Sequence, residues 1–189
     1  MSRQRASVFE SVKNGLVTTI EGTGDVVKAV VDTTAGTLAT TLKGAGRTGV
    51  EGTTAITDIA RGVIHGVTEV GSDLGAAAKG TVIGVLRGTQ EAGAQTMKTI
   101  GHTSGSVIKS TAEVGGDLGT AAKGLVEGAI RGAMEVGVSV EGAASAAATG
   151  ALDAAGEVGS TAAEKVRNAV TGTISGVKVV LKEPFKNEG

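Results

Sequence analysis

The stretch EVGSDLGAAAKGTVIGVLRGTQEAG, Glu69 to Gly93, recurs as EVGGDLGTAAKGLVEGAIRGAMEVG, Glu113 to Gly137, with 16 of 25 positions identical at a shift of 44 residues. The shift halves, because Glu-Val-Gly or Glu-Ala-Gly stands at 69, 91, 113, 135 and 157. A finer period lies beneath. Steps of 11 from Val26 through Thr37, Ile59, Val70, Thr81, Val114, Leu125 and Val136 to Val180 meet neither a charge nor a glycine. Eleven residues make three turns at about 3.67 residues per turn, close to the α-helix. The alanine runs Ala76 to Ala78 and Ala146 to Ala148 agree with helix.

The spacing predicts an all-α fold of long glycine-rich amphipathic helices, packed side by side as antiparallel hairpins or as a thin helical layer. A β-solenoid with 22-residue coils is the rival, since Val, Thr and Gly suit strands and turns. Against it stand the alanine runs, the lack of Asn-Gly or Asp-Gly corners and the absence of sustained period-two alternation.

Around such a helix Val70, Leu74, Thr81 and Val85 share one narrow apolar stripe, as do Val114, Leu118, Leu125 and Val136 one copy on. Lys79, Arg87, Glu69 and Glu91 share the opposite, charged face, with Ile83 as an intruder that becomes Glu127 in the next copy. The glycines fall on two flanks between these faces. Gly71, Gly75 and Gly93, repeated as Gly115, Gly119 and Gly137, line one; Gly80, Gly84 and Gly88, repeated as Gly124, Gly128 and Gly132, line the other. Glycine inside a helix costs about 1 kcal/mol relative to alanine. Its use there is to admit another backbone closely, as in small-xxx-small packing, so a neighbour is expected on each side. The competing reading of the glycines is linker-like flexibility.

Composition sets the limits. The chain has 189 residues with 32 glycines, two phenylalanines, and no tryptophan, tyrosine or cysteine; about 7% glycine is ordinary. Any core is therefore thin and built from Ala, Val, Leu, Ile and Thr, which argues against a buried catalytic pocket. Lys and Arg total 18 against 19 Asp and Glu, interleaved throughout, so no basic field exists to hold nucleic acid. The apolar start is broken by Glu10, Lys13 and Glu21 and is not a secretory signal. The longest charge-free run, Gly142 to Leu152, is far shorter than the roughly 20 residues that a membrane-spanning helix needs. A cytoplasmic location is the default expectation.

Turn signals concentrate at residues 21–25, 44–53 and 101–105 and at Pro184. They predict a short amphipathic segment over 1–24, a repeat region over 25–182 with helices near 25–43, 53–100 and 106–182, the last open to a break near Gly150 or Gly156, and a polar tail over 183–189. Continuous helix through a break remains open, because the 11-residue phase is not reset across 101–105.

Motifs of chemistry carry little weight. GAGRTG, Gly44 to Gly49, satisfies G-x-G-x-x-G, but at this glycine frequency about one match arises by chance, and TLATTLK before it does not read as the strand of a βαβ unit. His65 and His102 are far apart in the chain and in no metal-ligand pattern. No cofactor, metal, catalytic residue or small-molecule substrate is expected, and the chain is read as non-enzymatic. Arg87, Lys98, Lys109 and Arg131 form a basic row beside the acidic row Glu69, Glu91, Glu113, Glu135 and Glu157. Two readings stand: a solvated face of mixed sign, or lateral register in which one helix's basic row meets a neighbour's acidic row. Phe9 and Phe185, near opposite ends, are terminal anchors or ordinary local contacts.

The 11- and 22-residue amphipathic pattern resembles the helices of exchangeable apolipoproteins, synucleins and lipid-droplet coat proteins. AAAKG (Ala76 to Gly80) and TAAEK (Thr161 to Lys165) look like group 3 late-embryogenesis-abundant repeats. These resemblances imply surface coating or stress protection and carry over no functional residue. The expected function is a structural protein whose glycine-flanked helices assemble laterally and coat or shape an apolar surface, lipid foremost, with self-association. The alternatives are a filament, tube or closed bundle without lipid, and an ice-binding or desiccation protectant, for which Thr37 and Thr48, or Thr57 and Thr68, give the threonine spacing.

Overall fold

The helix-stopping element of this chain is the glycine of the Glu-Val-Gly motif. In the computed structural model, which describes residues 2–45, 49–89 and 94–182, Gly71 and Gly115 take φ of +67° and +68°, the left-handed region that glycine alone enters without cost. Ser72 N–H then donates to the Val67 carbonyl and Gly116 N–H to the Thr111 carbonyl, closing each helix as a Schellman turn. Two residues on, Asp73 and Asp117 accept from the backbone N–H of Ala76 and Thr120 and start the next helix as N-caps. The Asp117 carboxyl lies below the usual carboxylate range because the Thr120 backbone N–H bonds its charged form. Gly137 with Ser139, and Gly24 with Asp25, repeat the stop and start.

Among the described residues eight helices result: α1 (Ser2–Thr23), α2 (Val26–Ala45), α3 (Gly49–Glu69), α4 (Leu74–Thr89), α5 (Ala94–Glu113), α6 (Leu118–Val136), α7 (Val140–Val158) and α8 (Ser160–Val170). A two-stranded antiparallel hairpin follows, β1 (Gly172–Ile174) and β2 (Val177–Val179), with Thr173 opposite Lys178. The all-α class stands and the β-solenoid is excluded. The long helices expected over 53–100 and 106–182 are corrected to shorter helices, whose starts at 26, 49, 74, 94, 118, 140 and 160 stand 20 to 25 residues apart, near the 22-residue period, and the end of the second is the β1–β2 hairpin instead of helix. A turn of fixed length preserves that period as faithfully as an unbroken helix would, so the period could not separate the two. The break expected at 101–105 is also corrected: it lies inside α5, where Gly101 and Gly105 are packing residues.

Consecutive helices form hairpins, and the hairpins sort into two layers. α1, α3, α5 and α7 lie side by side in one, α2, α4, α6 and α8 in the other. Within a layer neighbours run parallel. A Cβ on Gly80, Gly84 or Gly88 of α4 would meet Val30, Thr34 and Ala35 of α2 in ascending order. One on Gly128 of α6 would stand 2.5 Å from the Lys79 carbonyl oxygen of α4, and one on Gly124 would collide with the Gly75 carbonyl. In the other layer Gly62 and Gly66 of α3 press on Phe9 and Lys13 of α1, and Gly150 of α7 on Gly101 of α5.

The apolar faces of the two layers meet between them. Leu16, Ile59, Val63, Val67, Val107 and Ile108 of the first layer are fully buried, as are Ala77, Ala78, Leu125, Val126 and Ala129 of the second. α7 gives the core alanine, with Ala143, Ala144, Ala147, Ala148, Ala151 and Ala155 all at 0% exposure, while α8 adds the fully buried Val166 and Val170. Buried threonines fit because Thr81, Thr103 and Thr111 return their hydroxyls to the carbonyls four residues back and present a methyl to the core.

The glycine contacts make a paired prediction. Gly128→Ala places a Cβ against backbone that cannot yield, so it should destabilise by about 1–3 kcal/mol despite alanine's better helix propensity. Gly36→Ala in α2, with open space where the methyl would go, should instead stabilise by about 1 kcal/mol. Urea denaturation of the two variants checks the opposite signs.

Candidate functional site

Lateral packing carries the charges into register. Lys79 of α4 pairs with Glu127 of α6 at 3.6 Å, Arg87 of α4 with Glu135 of α6 at 2.8 Å, and Lys109 of α5 with Glu157 of α7 at 2.7 Å. The interval from base to acid is the same in all three, one hairpin plus about one helical turn. Lys13 reaches Glu69 and Arg61 reaches Glu113 in the same sense. Every described member of the acidic row, Glu69, Glu113, Glu135 and Glu157, therefore meets a base from the preceding helix of its own layer. Of the basic row Arg87 and Lys109 reach across, whereas Arg131 pairs with Glu135 within α6. The Arg87 guanidinium, hydrogen-bonded to Glu135, holds that carboxyl below the ordinary glutamate range. Glu91 lies outside the described residues.

The apolar-face residues occupy the places their periodicity assigns. Thr81, Val85, Leu118 and Leu125 are buried, and Val70, Leu74, Val114 and Val136 pack half-buried against the core. Of the flanking glycines, Gly80, Gly84, Gly88, Gly124, Gly128 and Gly132 face a neighbouring helix, and Gly75 receives Gly124. Gly119 lies more loosely, 3.6 Å from the Lys165 carbonyl oxygen of α8. Three assignments are corrected: Gly71, Gly115 and Gly137 are turn residues with positive φ and open space around them. Their spacing placed them on a flank because the turn keeps step with the helix. Gly93 lies outside the described residues.

The outer face of the α1, α3, α5 and α7 layer carries an open groove of about 1260 Å³. Its floor is low because small residues line it, among them Gly101, Gly105, Gly142, Ala146 and Gly150. On one wall His102, half-buried, has its Nε2 3.1 Å from both the Thr57 hydroxyl and the Thr53 carbonyl oxygen, and the Thr57 hydroxyl lies 3.3 Å from that of Ser106. The other side carries Asp153, Glu157 and, at the rim, Lys182. Burial, then the neighbouring charge of Glu157, raises the Asp153 carboxyl above the ordinary aspartate value.

At the α1 end, Phe9 meets His65 edge-on with ring centroids 5.4 Å apart and carries the Arg61 guanidinium 5.6 Å from its own centroid. His65 Nε2 stands 3.5 Å from Glu113. Phe9 is thus a contact between α1 and α3, which the sequence could not specify because its partners lie a whole hairpin further along the chain. Phe185, Pro184 and the 183–189 tail lie outside the described residues, as do Gly46 to Thr48 of GAGRTG. Thr57 is engaged between α3 and α5, and Thr68 returns its hydroxyl to the Ile64 carbonyl, so these two do not form a free row.

Among the described residues no cluster of His, Asp and Glu is placed to hold a metal ion, and no helix is long and apolar enough to cross a membrane. No protein-family model matches the chain, and no curated protein or solved structure matches it either.

Asp153 yields a pH prediction. A carboxyl raised in the folded state penalises folding once ionised, so the penalty grows as pH rises from the ordinary aspartate range through the folded value and vanishes at lower pH. Asp153→Asn should therefore raise Tm at pH 7 by a small amount and leave it unchanged near pH 3, as calorimetry at the two pH values would show.

Proposed function

We propose that this chain is a non-enzymatic structural protein of the closed-bundle kind. Its glycine-flanked helices assemble laterally within one chain, in the manner of a glycine zipper, to make a two-layered scaffold that meets partners through its polar outer faces. The single observation that carries this reading is the meeting of the two layers' apolar stripes: residues such as Val85, Leu125 and Val107 spend their apolar surface on each other. What remains outside is mostly charge, hydroxyl and glycine, with Met134, Val158 and Val180 as the large apolar exceptions among the described residues, and a groove opens over α5 and α7. Stacked helix pairs commonly use such extended faces for binding. In the groove Arg61 pairs with Glu113 and Lys109 with Glu157, and His102 bonds to Thr57 and Thr53, an arrangement suited to recognition rather than to acid-base work.

The coating of a lipid surface keeps support from one feature, the alanine core along α7. Burying alanine methyls gains little per residue, so the layers there would part at modest cost and could turn their stripes to lipid. Desiccation protection rests on the sequence resemblance alone.

Co-sedimentation with neutral and with anionic phospholipid vesicles, circular dichroism with and without them, and mass in solution separate the readings. The closed scaffold predicts a monomer of 18.4 kDa, unchanged helicity and no pelleting with either vesicle. Pelleting with altered helicity would replace it by the coating reading, and large particles without lipid by the filament.

A further inference from the structure

The lateral contact of the first layer is made three times and then stops. Phe9 and Lys13 of α1 receive Gly62 and Gly66 of α3, Thr57 of α3 receives Ser106 of α5, and Gly101 and Gly105 of α5 receive Gly150 and Ala154 of α7. One 44-residue repeat beyond Gly101 and Gly105 stand Ser145 and Thr149, on the far edge of α7. Among the described residues no helix arrives there. The extended segment that follows β2 does: the Ser145 hydroxyl donates to the Val180 carbonyl at 2.5 Å and the Lys182 N–H donates to the Thr149 hydroxyl at 3.2 Å. Ile174 and Val179 of the hairpin are buried, and β2 packs on α7.

The charge changes at the same edge. His65, 3.5 Å from Glu113, and Lys109, 2.7 Å from Glu157, occupy equivalent places on α3 and α5. The next member of that series, one repeat beyond Lys109, is Asp153. At the opposite end of the layer, α1 leads with an exposed edge of Glu10, Asn14, Thr18 and Glu21. Asn14 and Thr18 precede the packing glycines Gly62 and Gly66 by the interval that separates Arg87 from Glu135, and Glu21 precedes Glu69 by the same interval. By sequence interval the two edges hold the positions that correspond to the two sides of the internal lateral contacts.

We propose that the α7 edge is a fourth lateral docking site, fitted to the leading edge of α1 in a second copy of this chain, and that the Val177 to Lys182 segment together with Asp153 keeps it closed. A contact of one edge with a different edge is heterologous and does not close on itself, so an open site would propagate into filaments. Repeat arrays need terminal caps for this reason. Here the segment occupies the slot, and Asp153 would face Glu21 of an incoming chain with like charge, where the internal contacts offer a base.

The test uses the full-length chain. V179D puts a charge in a buried position that the hairpin tolerates only by leaving, and D153K restores the basic place. V179D/D153K is expected to associate as concentration rises in sedimentation velocity, with helicity retained, and the further change E21K is expected to return it to monomer. S145A/T149V/D153K removes both segment contacts without burying a charge and is expected to associate in the same E21K-sensitive way, more weakly. A folded V179D/D153K that stays monomeric overturns the proposal, as does association that E21K leaves untouched. Should V179D/D153K lose its helicity, the second variant decides by the same two criteria. The proposal rests on the chain being a structural repeat protein; its failure leaves the vesicle result for the parent chain standing.

Discussion

The structure depends on two backbones approaching at a glycine. Where Gly124 of α6 lies over the Gly75 carbonyl, or Gly150 of α7 over that of Gly101, a side chain on the upper helix would hold the pair apart. At that spacing dispersion between backbones substitutes for the interlocking aromatic and aliphatic side chains that the chain largely lacks. Each such glycine carries a helix-propensity cost of about 1 kcal/mol, so the helices are stable as neighbours and not alone. The remaining features follow from that constraint. Parallel neighbours must be one hairpin apart, which sets the 44-residue repeat, and their charges must then meet one helical turn further on, which sets the Lys79, Arg87 and Lys109 pairs.

Much of this was legible in the sequence. The helical class, the apolar stripe through Thr81 and Val85, and the expectation of a neighbour on each side all come from the 11-residue phase. Lateral register of the acidic and basic rows was one of two open readings, and the ion pairs from Arg87 to Glu135 and from Lys109 to Glu157 select it. Exposed pairs of this kind add little stability; their weight lies in fixing which turn meets which.

The turns were harder to see because glycine serves two purposes here. Gly71 stops a helix through its positive φ, and Gly75, one helical turn later, admits a backbone. The distinguishing signal is the aspartate just after the stop, Asp73 or Asp117, which belongs to a helix start. Conversely GHTSG at 101–105 has turn composition yet lies in α5, since Gly101 and Gly105 face α7 and His102 bonds to α3. The C-terminal hairpin announced itself weakly in the alternation of Thr173, Ile174, Val177 and Val179 around two glycines. Phe9 and the groove depend on contacts between distant hairpins, to which no local pattern points.

The central claim is that lateral neighbours belong to the same chain. It is tested most directly by a distance between residues 79 and 127, using spin labels on cysteines introduced into this cysteine-free sequence, with labelled chains diluted in excess unlabelled protein. The account predicts a short separation, no more than roughly two helix diameters of about 10–12 Å each, that persists on dilution. Separation along a continuous helix would be about 72 Å at about 1.5 Å per residue. That long distance, or a short one lost on dilution, would contradict it.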